Sequence, residues 1–247
     1  MGHQAVNNNQ FVRHTGVAAP FLQDDFDGEL IAHLGPELDD LHHAHLDHRG
    51  AMLDAHQHDG SWIGQHAFQG LRYRLDGSEN PDFILNQASY RGTPILMVGA
   101  NFGCGSSREP AVWALDQMGI RTIIARSFGD IFYANCLRNG LLPIALPHAP
   151  YDTLAALASG EEPVTLTIDL ERCTIVALGD TKIPFDIDTS RRQALLEGLD
   201  QLSQTLLSLT DIATFQKQDR LNRPWVWQTV PERPRSLATP SADKQDR

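Results

Sequence analysis

The chain is organised around residues 95–144, ILMVGANFGCGSSREPAVWALDQMGIRTIIARSFGDIFYANCLRNGLLPI. This stretch begins with the apolar run Ile95–Val98 and breaks at Gly99. A loop rich in glycine and serine then follows over residues 101–109. An apolar run that stops at glycine predicts a buried strand that leads directly into a turn.

A helix is predicted over residues 111–118 and a second apolar strand over residues 122–125. Proline is tolerated only in the first helical turn, so Pro110 places the helix start at about residue 109 or 110. Gly119 is placed to end the helix. The resulting strand–loop–helix–strand unit puts the loop at the carboxyl end of a parallel strand and at a helix N-terminus, where anions such as carboxylates bind well.

Ser106, Ser107 and Arg108 combine two hydroxyl groups and one guanidinium within three positions of that loop. Together they offer a proton-transfer group and a bidentate clamp for a carboxylate. The same residues also suit an ordinary capped helix start. Spacing alone does not choose between these two interpretations.

The loop sequence Asn-Phe-Gly-Cys-Gly-Ser-Ser-Arg-Glu, residues 101–109, resembles a loop of the aconitase superfamily in the form found in small subunits of isopropylmalate dehydratase. Residues 127–132, 135–136 and 139–144 also match that family in order and spacing. The similarity is good over residues 67–227 and poor over residues 21–66.

The resemblance implies an α/β fold: a swivelling β/β/α three-layer domain with a parallel central sheet and an antiparallel appendage. It also implies the small subunit of a hydro-lyase that interconverts 2- and 3-isopropylmalate by dehydration and rehydration in leucine biosynthesis. The expected partner is a large subunit that carries a [4Fe–4S] cluster, while this chain holds no cofactor. The expected substrate is a small hydroxy-dicarboxylic or tricarboxylic acid.

By the same resemblance, Ser106 is the catalytic base, and Ser107 and Arg108 bind a substrate carboxylate. Four further residues are candidate supporting residues of the site: Asn101, Cys104, Asp27 and Arg72. For Arg72 we expect a mainly structural role.

Two departures from the family pattern keep other functions open. Asp27-Gly28-Glu29 has glycine and glutamate where the family carries threonine and aspartate, and Pro110 stands where a histidine is common. One alternative is a paralogous hydro-lyase subunit for another substituted malate, citrate or maleate. The other is a non-catalytic assembly or regulatory subunit.

Eight of the 11 histidines lie within residues 33–66, interspersed with aspartates. Such side chains could chelate zinc or nickel, but their scattered spacing gives no unique ligand set and is more typical of a solvated surface. We therefore expect no metal site. Because this region diverges from the family, no residue in it can be matched to an arginine of the family. Arg49 is a candidate for that position.

The 247 residues carry a formal net charge of −11, which argues against partners such as nucleic acid or an anionic membrane surface. No apolar run approaches membrane-spanning length, and the N-terminus lacks the layout of a secretory signal, so a cytoplasmic location is expected.

The three cysteines form no Cys-x-x-Cys pair. Of these, Cys136 is expected to be a buried packing residue.

The domain boundaries follow from composition and pattern. Residues 1–20 are expected to form a flexible tail, residues 21–227 the domain with its divergent region at 33–66, and residues 228–247 a disordered tail. Within the domain, a helix is predicted near residues 151–158, followed by antiparallel strands near 164–169, 173–178 and 182–185. A further helix is predicted to bury one stripe of leucines, consisting of Leu195, Leu199, Leu202 and Leu206.

Overall fold

In a computed structural model of the chain, residues 10–32, 62–105 and 109–227 are described. The chain divides into one compact unit up to Gln204, which contains the whole sheet, and a small helical unit that begins at Thr205. The domain expected over residues 21–227 therefore takes in parts of both units.

Four parallel strands form one half of the sheet: β1 (Arg13–Phe21), β2 (Ile95–Val98), β3 (Thr122–Ala125) and β4 (Leu142–Ala145). β2 and β3 are buried at every residue, and for this reason their sequences are continuously apolar rather than alternating. Pro143 is accommodated because β4 is an edge strand, where a missing N–H need not remove a ladder bond. Both strands predicted around the central loop are confirmed.

The first strand corrects the expectation that residues 1–20 form a loose tail. β1 lies inside the sheet, paired in parallel with β2 and antiparallel with β5 (Thr165–Asp169). Ala18 and Ala19 are fully buried, and Pro20 lies beyond the end of the β5 pairing at Val17. Small residues and proline hide a strand from pattern analysis, because strand propensity resides mainly in β-branched and aromatic side chains. Residues 1–9 lie outside the described ranges.

The other half of the sheet is antiparallel and consists of β5, β6 (Thr174–Val176) and β7 (Lys182–Pro184). The strand order is β4-β3-β2-β1-β5-β6-β7. The α/β class with a parallel and an antiparallel part is confirmed. The antiparallel part continues the same sheet because β1 belongs to both halves.

The described helices are α1 (Gly28–Ile31), α2 (Trp62–His66), α3 (Gln69–Arg72), α4 (Pro110–Gln117), α5 (Asp130–Arg138), α6 (His148–Ala158), α7 (Thr189–Glu197), α8 (Gln201–Leu207) and α9 (Leu209–Asn222). Short 3₁₀ turns occupy Ile84–Asn86, Leu178–Asp180 and Pro224–Trp227. α4 begins at Pro110, as predicted, and Gly119 follows it with a φ of +87°. None of these helices is long and apolar enough to cross a bilayer.

Two apolar clusters hold the helices to the sheet. One cluster contains Leu115 of α4 and Phe132 of α5 together with Leu96 of β2. The second contains Leu154 of α6 together with Ile124 of β3. Neighbouring residues of one strand point to opposite faces, so Leu96 and Met97 of β2 fall in different clusters. Both faces of the sheet therefore carry a packed core.

The predicted leucine stripe is wrong in its second half. α7 is capped by Asp188, whose Oδ1 accepts bonds from the backbone N–H groups of Ser190 and Arg191, and it ends at Gly198 with a φ of +64°. The break at Gly198 prevents one helix from carrying all four leucines. Leu195 is buried as expected, whereas Leu202 is 66% exposed and Leu206 is 48% exposed.

The described part of the small C-terminal unit contains the end of α8, α9 and the turn that follows α9. The carboxylate of Asp219 accepts a bond from Arg223 Nε at 2.6 Å and from Trp227 Nε1 at 2.9 Å. The Arg220 guanidinium lies 4.7 Å from the centre of the Trp227 ring. These contacts fix the 3₁₀ turn to the last turns of α9. Residues 228–247, where a disordered tail is expected, lie outside the described ranges.

Candidate active site

Three loops meet at one edge of the sheet, because the carboxyl ends of parallel strands lie together. They follow β1, β2 and β3 and comprise residues 22–27, 99–105 and 126–129. The middle loop lies between the other two: isolated bridges pair Cys104 with Asp27 and Phe102 with Phe128.

Backbone hydrogen bonds fix the middle loop on both sides. Gly103 N donates to Phe26 O at 2.8 Å, and Gly28 N donates to Cys104 O at 2.8 Å. On the other side, Phe102 N donates to Ser127 O at 3.2 Å. Residues 102–104 of the loop are thus hydrogen-bonded on both sides like a short strand, and Ser106 follows shortly after them in the sequence.

A cluster of buried phenylalanine rings packs between these loops and α5. Phe26 stacks on Phe102 with 5.7 Å between ring centres, and Phe102 meets Phe132 of α5 edge to face at 5.5 Å. All three rings are almost fully buried. Gly103 is required here, because a side chain at this position would enter the Phe132 ring. The loop therefore rests on a rigid apolar surface.

Asp27 performs two roles in this arrangement. Its Oδ1 accepts a bond from Glu29 N at 2.8 Å and so caps α1. Its carboxylate also borders Gly105, where a methyl group would lie 2.6 Å from Oδ2. The aspartate of the altered Asp-Gly-Glu motif is therefore placed beside the last described residue of the loop.

Cys104 lies between acidic groups. Burial raises the pKa of the Cys104 thiol, and the carboxylates of Asp27 and Asp25 raise this pKa further. The thiol is therefore protonated near neutral pH and is a poor nucleophile there. This supports a packing role for Cys104 within the loop.

The first residues of the loop are fixed by polar contacts that the sequence did not reveal. Asp24 Oδ1 accepts a bond from Ala100 N at 2.6 Å, and Asn101 Nδ2 donates to Asp25 Oδ1 at 2.8 Å. Ser127 Oγ accepts a bond from Asn101 N at 2.8 Å. Asp24 and Asp25 were missed because only the parallel register of β1 and β2 brings them to the loop.

The end of β2 is also held from the opposite face of the sheet. Tyr151 of α6 donates its hydroxyl to Val98 O at 2.7 Å, and burial raises the pKa of this phenol. The Arg126 guanidinium lies 4.9 Å from the centre of the Tyr151 ring and contacts Asp152 at 2.8 Å. The strand end that carries the loop is thus anchored on both faces.

The structure therefore brings three of the predicted site residues together: Asn101, Cys104 and Asp27. Arg72 lies elsewhere, where its guanidinium donates to Gly64 O at 3.2 Å and to Asn86 Oδ1 at 3.4 Å. These contacts fit the structural role expected for Arg72.

Several predictions fall on residues outside the described ranges. Ser106, Ser107 and Arg108 are among them, as are Arg49 and the histidine-rich residues 33–61. The roles assigned to these side chains stay predictions.

The three cysteines do not fit an iron–sulfur cluster. Cys104 lies in the loop after β2, Cys136 is buried within α5, and Cys173 lies in the turn between β5 and β6. A cluster needs thiolates that converge on one point. In the described part of the chain, no group of three or more His, Cys, Asp or Glu residues could hold a metal ion.

Comparison with known proteins identifies the family. A family model described as the aconitase C-terminal domain matches residues 46–149, and one described as LeuD_N matches residues 152–189. The 3-isopropylmalate dehydratase small subunit of Paracoccus denitrificans is 40% identical over 218 residues, which cover 88% of this chain and 100% of that protein. The chain belongs to the 3-isopropylmalate dehydratase small-subunit family. The resemblance seen in the loop sequence is confirmed.

Another relative in this small-subunit family is the protein of Gluconacetobacter diazotrophicus, which is 50% identical over 165 residues. That match covers 67% of this chain and 80% of the relative. A crystal structure of 3-isopropylmalate dehydratase from Methanocaldococcus jannaschii covers 84% of this chain and 99% of its own, with a TM-score of 0.53 and 24% identity. This likeness supports the fold.

Proposed function

We propose that the chain is the small subunit of a hydro-lyase that interconverts 2- and 3-isopropylmalate. The observation that carries the proposal is its 40% identity to the small subunit of Paracoccus denitrificans over the whole of that protein. The sequence of residues 101–109 resembles the family's loop, and its described residues 101–105 follow β2 at the carboxyl edge of the sheet. The relatives do not favour the paralogous or the non-catalytic alternative.

In this proposal, Ser106 takes the proton from the carbon next to the substrate carboxylate. A serine hydroxyl is a weak base in water, so its alkoxide must be stabilised by amide donors and by the Arg108 guanidinium. Ser107 and Arg108 hold the carboxylate, for which the planar guanidinium offers two parallel hydrogen bonds. Asn101, Cys104 and Asp27 support the loop that carries these groups.

The departing hydroxyl needs a Lewis acid, which we assign to a [4Fe–4S] cluster on a large subunit. The cysteines of this chain do not converge, so activity is expected only from the complex. This chain contributes the base and the carboxylate contacts. A cytoplasmic location remains part of the proposal.

The test is anaerobic turnover by this chain co-purified with its large subunit. Formation of the unsaturated acid is followed by ultraviolet absorbance with isopropylmalate and with related hydroxy-acids. We expect Ser106→Ala to lower kcat by about 10²–10⁴-fold, the usual contribution of a general base, with KM nearly unchanged. Arg108→Lys is expected to raise KM, because an ammonium cannot form the bidentate contact.

A matched control is Ser89→Ala, which removes the same hydroxyl from an exposed residue that precedes β2 and so lies outside the three loops. This variant should retain wild-type turnover. Activity only on another hydroxy-acid would move the assignment to a paralogous enzyme. A cluster-loaded complex that is inactive on every acid would contradict the proposal.

A further inference from the structure

Two residues with left-handed backbone conformations face each other where the candidate active-site loops begin. Asp25 has a φ of +50° and Asn101 a φ of +52°. They follow the neighbouring parallel strands β1 and β2, and Asn101 Nδ2 donates to Asp25 Oδ1 at 2.8 Å. Asp and Asn tolerate this conformation better than most residues, and here two such residues are joined by a side-chain hydrogen bond.

The peptide group between Ala100 and Asn101 is held on several sides. Asp25 N donates to Ala100 O at 2.8 Å, and Asn101 N donates to Ser127 Oγ at 2.8 Å. Gly99 permits this approach, because any side chain there would collide with Gln23 O. The direction in which the chain leaves β2 is therefore fixed by contacts with the loops that follow β1 and β3.

We propose that Asp25 and Asn101 are positioning residues that together set the direction of the loop from β2 towards Ser106. This proposal rests on the proposed function, because the pair would serve to position Ser106 and Arg108. Neither residue is assigned a contact with the substrate. Asp25 belongs to no motif that the sequence analysis identified.

Exposure of the pair separates this role from general stabilisation. Both side chains are exposed, so their hydrogen bond competes with water and adds little to the stability of the fold. Catalytic groups, in contrast, lose activity steeply when they are misplaced by about 1 Å. Loss of the bond should therefore affect turnover much more than folding.

Glycine and alanine variants separate the side-chain bond from the backbone conformation. Asn101→Gly removes the amide but accepts the positive φ, whereas Asn101→Ala removes the amide and also strains the backbone. We expect Asn101→Gly and Asp25→Gly to lower kcat by about 10–10²-fold with little change in the urea midpoint of unfolding. Asp25→Asn keeps an oxygen that can accept from Asn101 Nδ2, so it should restore most of the activity.

A matched control is Cys173→Gly. Cys173 also has a positive φ, +49°, but it lies in the turn between β5 and β6. This substitution should leave kcat unchanged.

A second measurement does not depend on turnover. Cys104 lies three residues after Asn101, so the rate at which iodoacetamide alkylates its thiol reports how firmly the loop is held. Asn101→Gly leaves the neighbouring charges unchanged, and loss of this exposed hydrogen bond should speed alkylation about twofold. Amide hydrogen exchange over residues 100–105 should increase with it.

The outcomes are distinguishable. Faster alkylation together with lower kcat supports the positioning role. Lower kcat with unchanged alkylation and exchange would indicate that Asn101 contacts the substrate directly, and this result would overturn the positioning role. A variant that is unchanged in all three measurements would also overturn it. If the wild-type complex proves inactive, the proposed function fails, while alkylation and exchange still decide whether the pair holds the loop.

Discussion

Cys136 of α5 is the one cysteine that is completely buried, and it belongs to the apolar cluster that α5 forms with β2. Burial raises the pKa of this thiol well above its ordinary value. The thiol has a higher pKa in the folded chain than in the unfolded chain, where it is about 8.5. The free energy of unfolding is therefore unaffected by this thiol below about pH 8.5 and falls as the pH rises above that value, because the thiol then ionises only in the unfolded chain. The thiol therefore makes the fold sensitive to alkaline pH.

We expect the free energy of unfolding to fall with pH above about 8.5, and to fall less steeply in Cys136→Ala. The difference in slope should approach about 1.4 kcal/mol per pH unit, the value for one group that ionises only in the unfolded chain. Urea unfolding at several pH values between neutral and mildly alkaline measures it. The other titrating groups are common to both proteins, so parallel curves would refute the assignment to Cys136.

At the level of single residues, the sequence predicts roles for the residues of the loop motif, but it does not indicate which distant residues contact the loop in the fold. The burial of Cys136 agrees with the sequence analysis, and Asp27, a candidate supporting residue, lies beside Gly105. Asp24, Asp25 and Ser127 acquire their roles only because parallel strands bring distant loops together. Their own sequence contexts contain no pattern that indicates such a contact.

Among the elements, the loop after β2 depends most strongly on a close approach of its backbone to a helix. Gly103 has a φ of +73°, and a side chain there would enter the ring of Phe132, which is itself 1% exposed and packed against Phe102. Such a ring cannot move aside without disturbing the cluster. The backbone of the loop can reach its position only without a side chain at residue 103.

Gly103→Ala should consequently destabilise the protein more than Gly119→Ala does. Gly119 also has a positive φ, +87°, but a methyl group there would meet nothing within 4 Å. Backbone strain is common to both variants, so their difference isolates the collision, for which about 1–3 kcal/mol is typical of overpacking. Chemical unfolding of both variants gives this difference. Equal losses would show that the phenylalanine cluster yields easily.

Element prediction succeeded where local sequence decides the structure and failed where neighbouring strands decide it. α4 follows from Pro110, the apolar residues after it and Gly119, and it forms as expected. β1 has alanines at its centre and becomes a strand because it is paired on both sides. The leucine spacing suggested one helix, but Gly198 ends it before Leu202.

For the molecule as a whole, β1 is the connection between the parallel and antiparallel halves of the sheet. It is hydrogen-bonded to β2 on one side and to β5 on the other, and its buried residues Ala18 and Ala19 belong to the two different apolar clusters. A disturbance in this strand reaches both halves through backbone bonds as well as through packing. The sheet should therefore unfold as one cooperative unit.

Ala18→Ser tests this coupling, because it buries a hydroxyl group in the middle of β1 at an expected cost of about 1–3 kcal/mol. Pulsed hydrogen exchange along a urea series should show the midpoints for β2–β3 and for β5–β6 shifting by the same amount. Thr15→Ser is the control, since it retains a hydroxyl for the exposed contact with Thr167 and should shift neither midpoint appreciably. A shift confined to one half would mean that the halves fold independently, and that β1 joins them in space without coupling their stability.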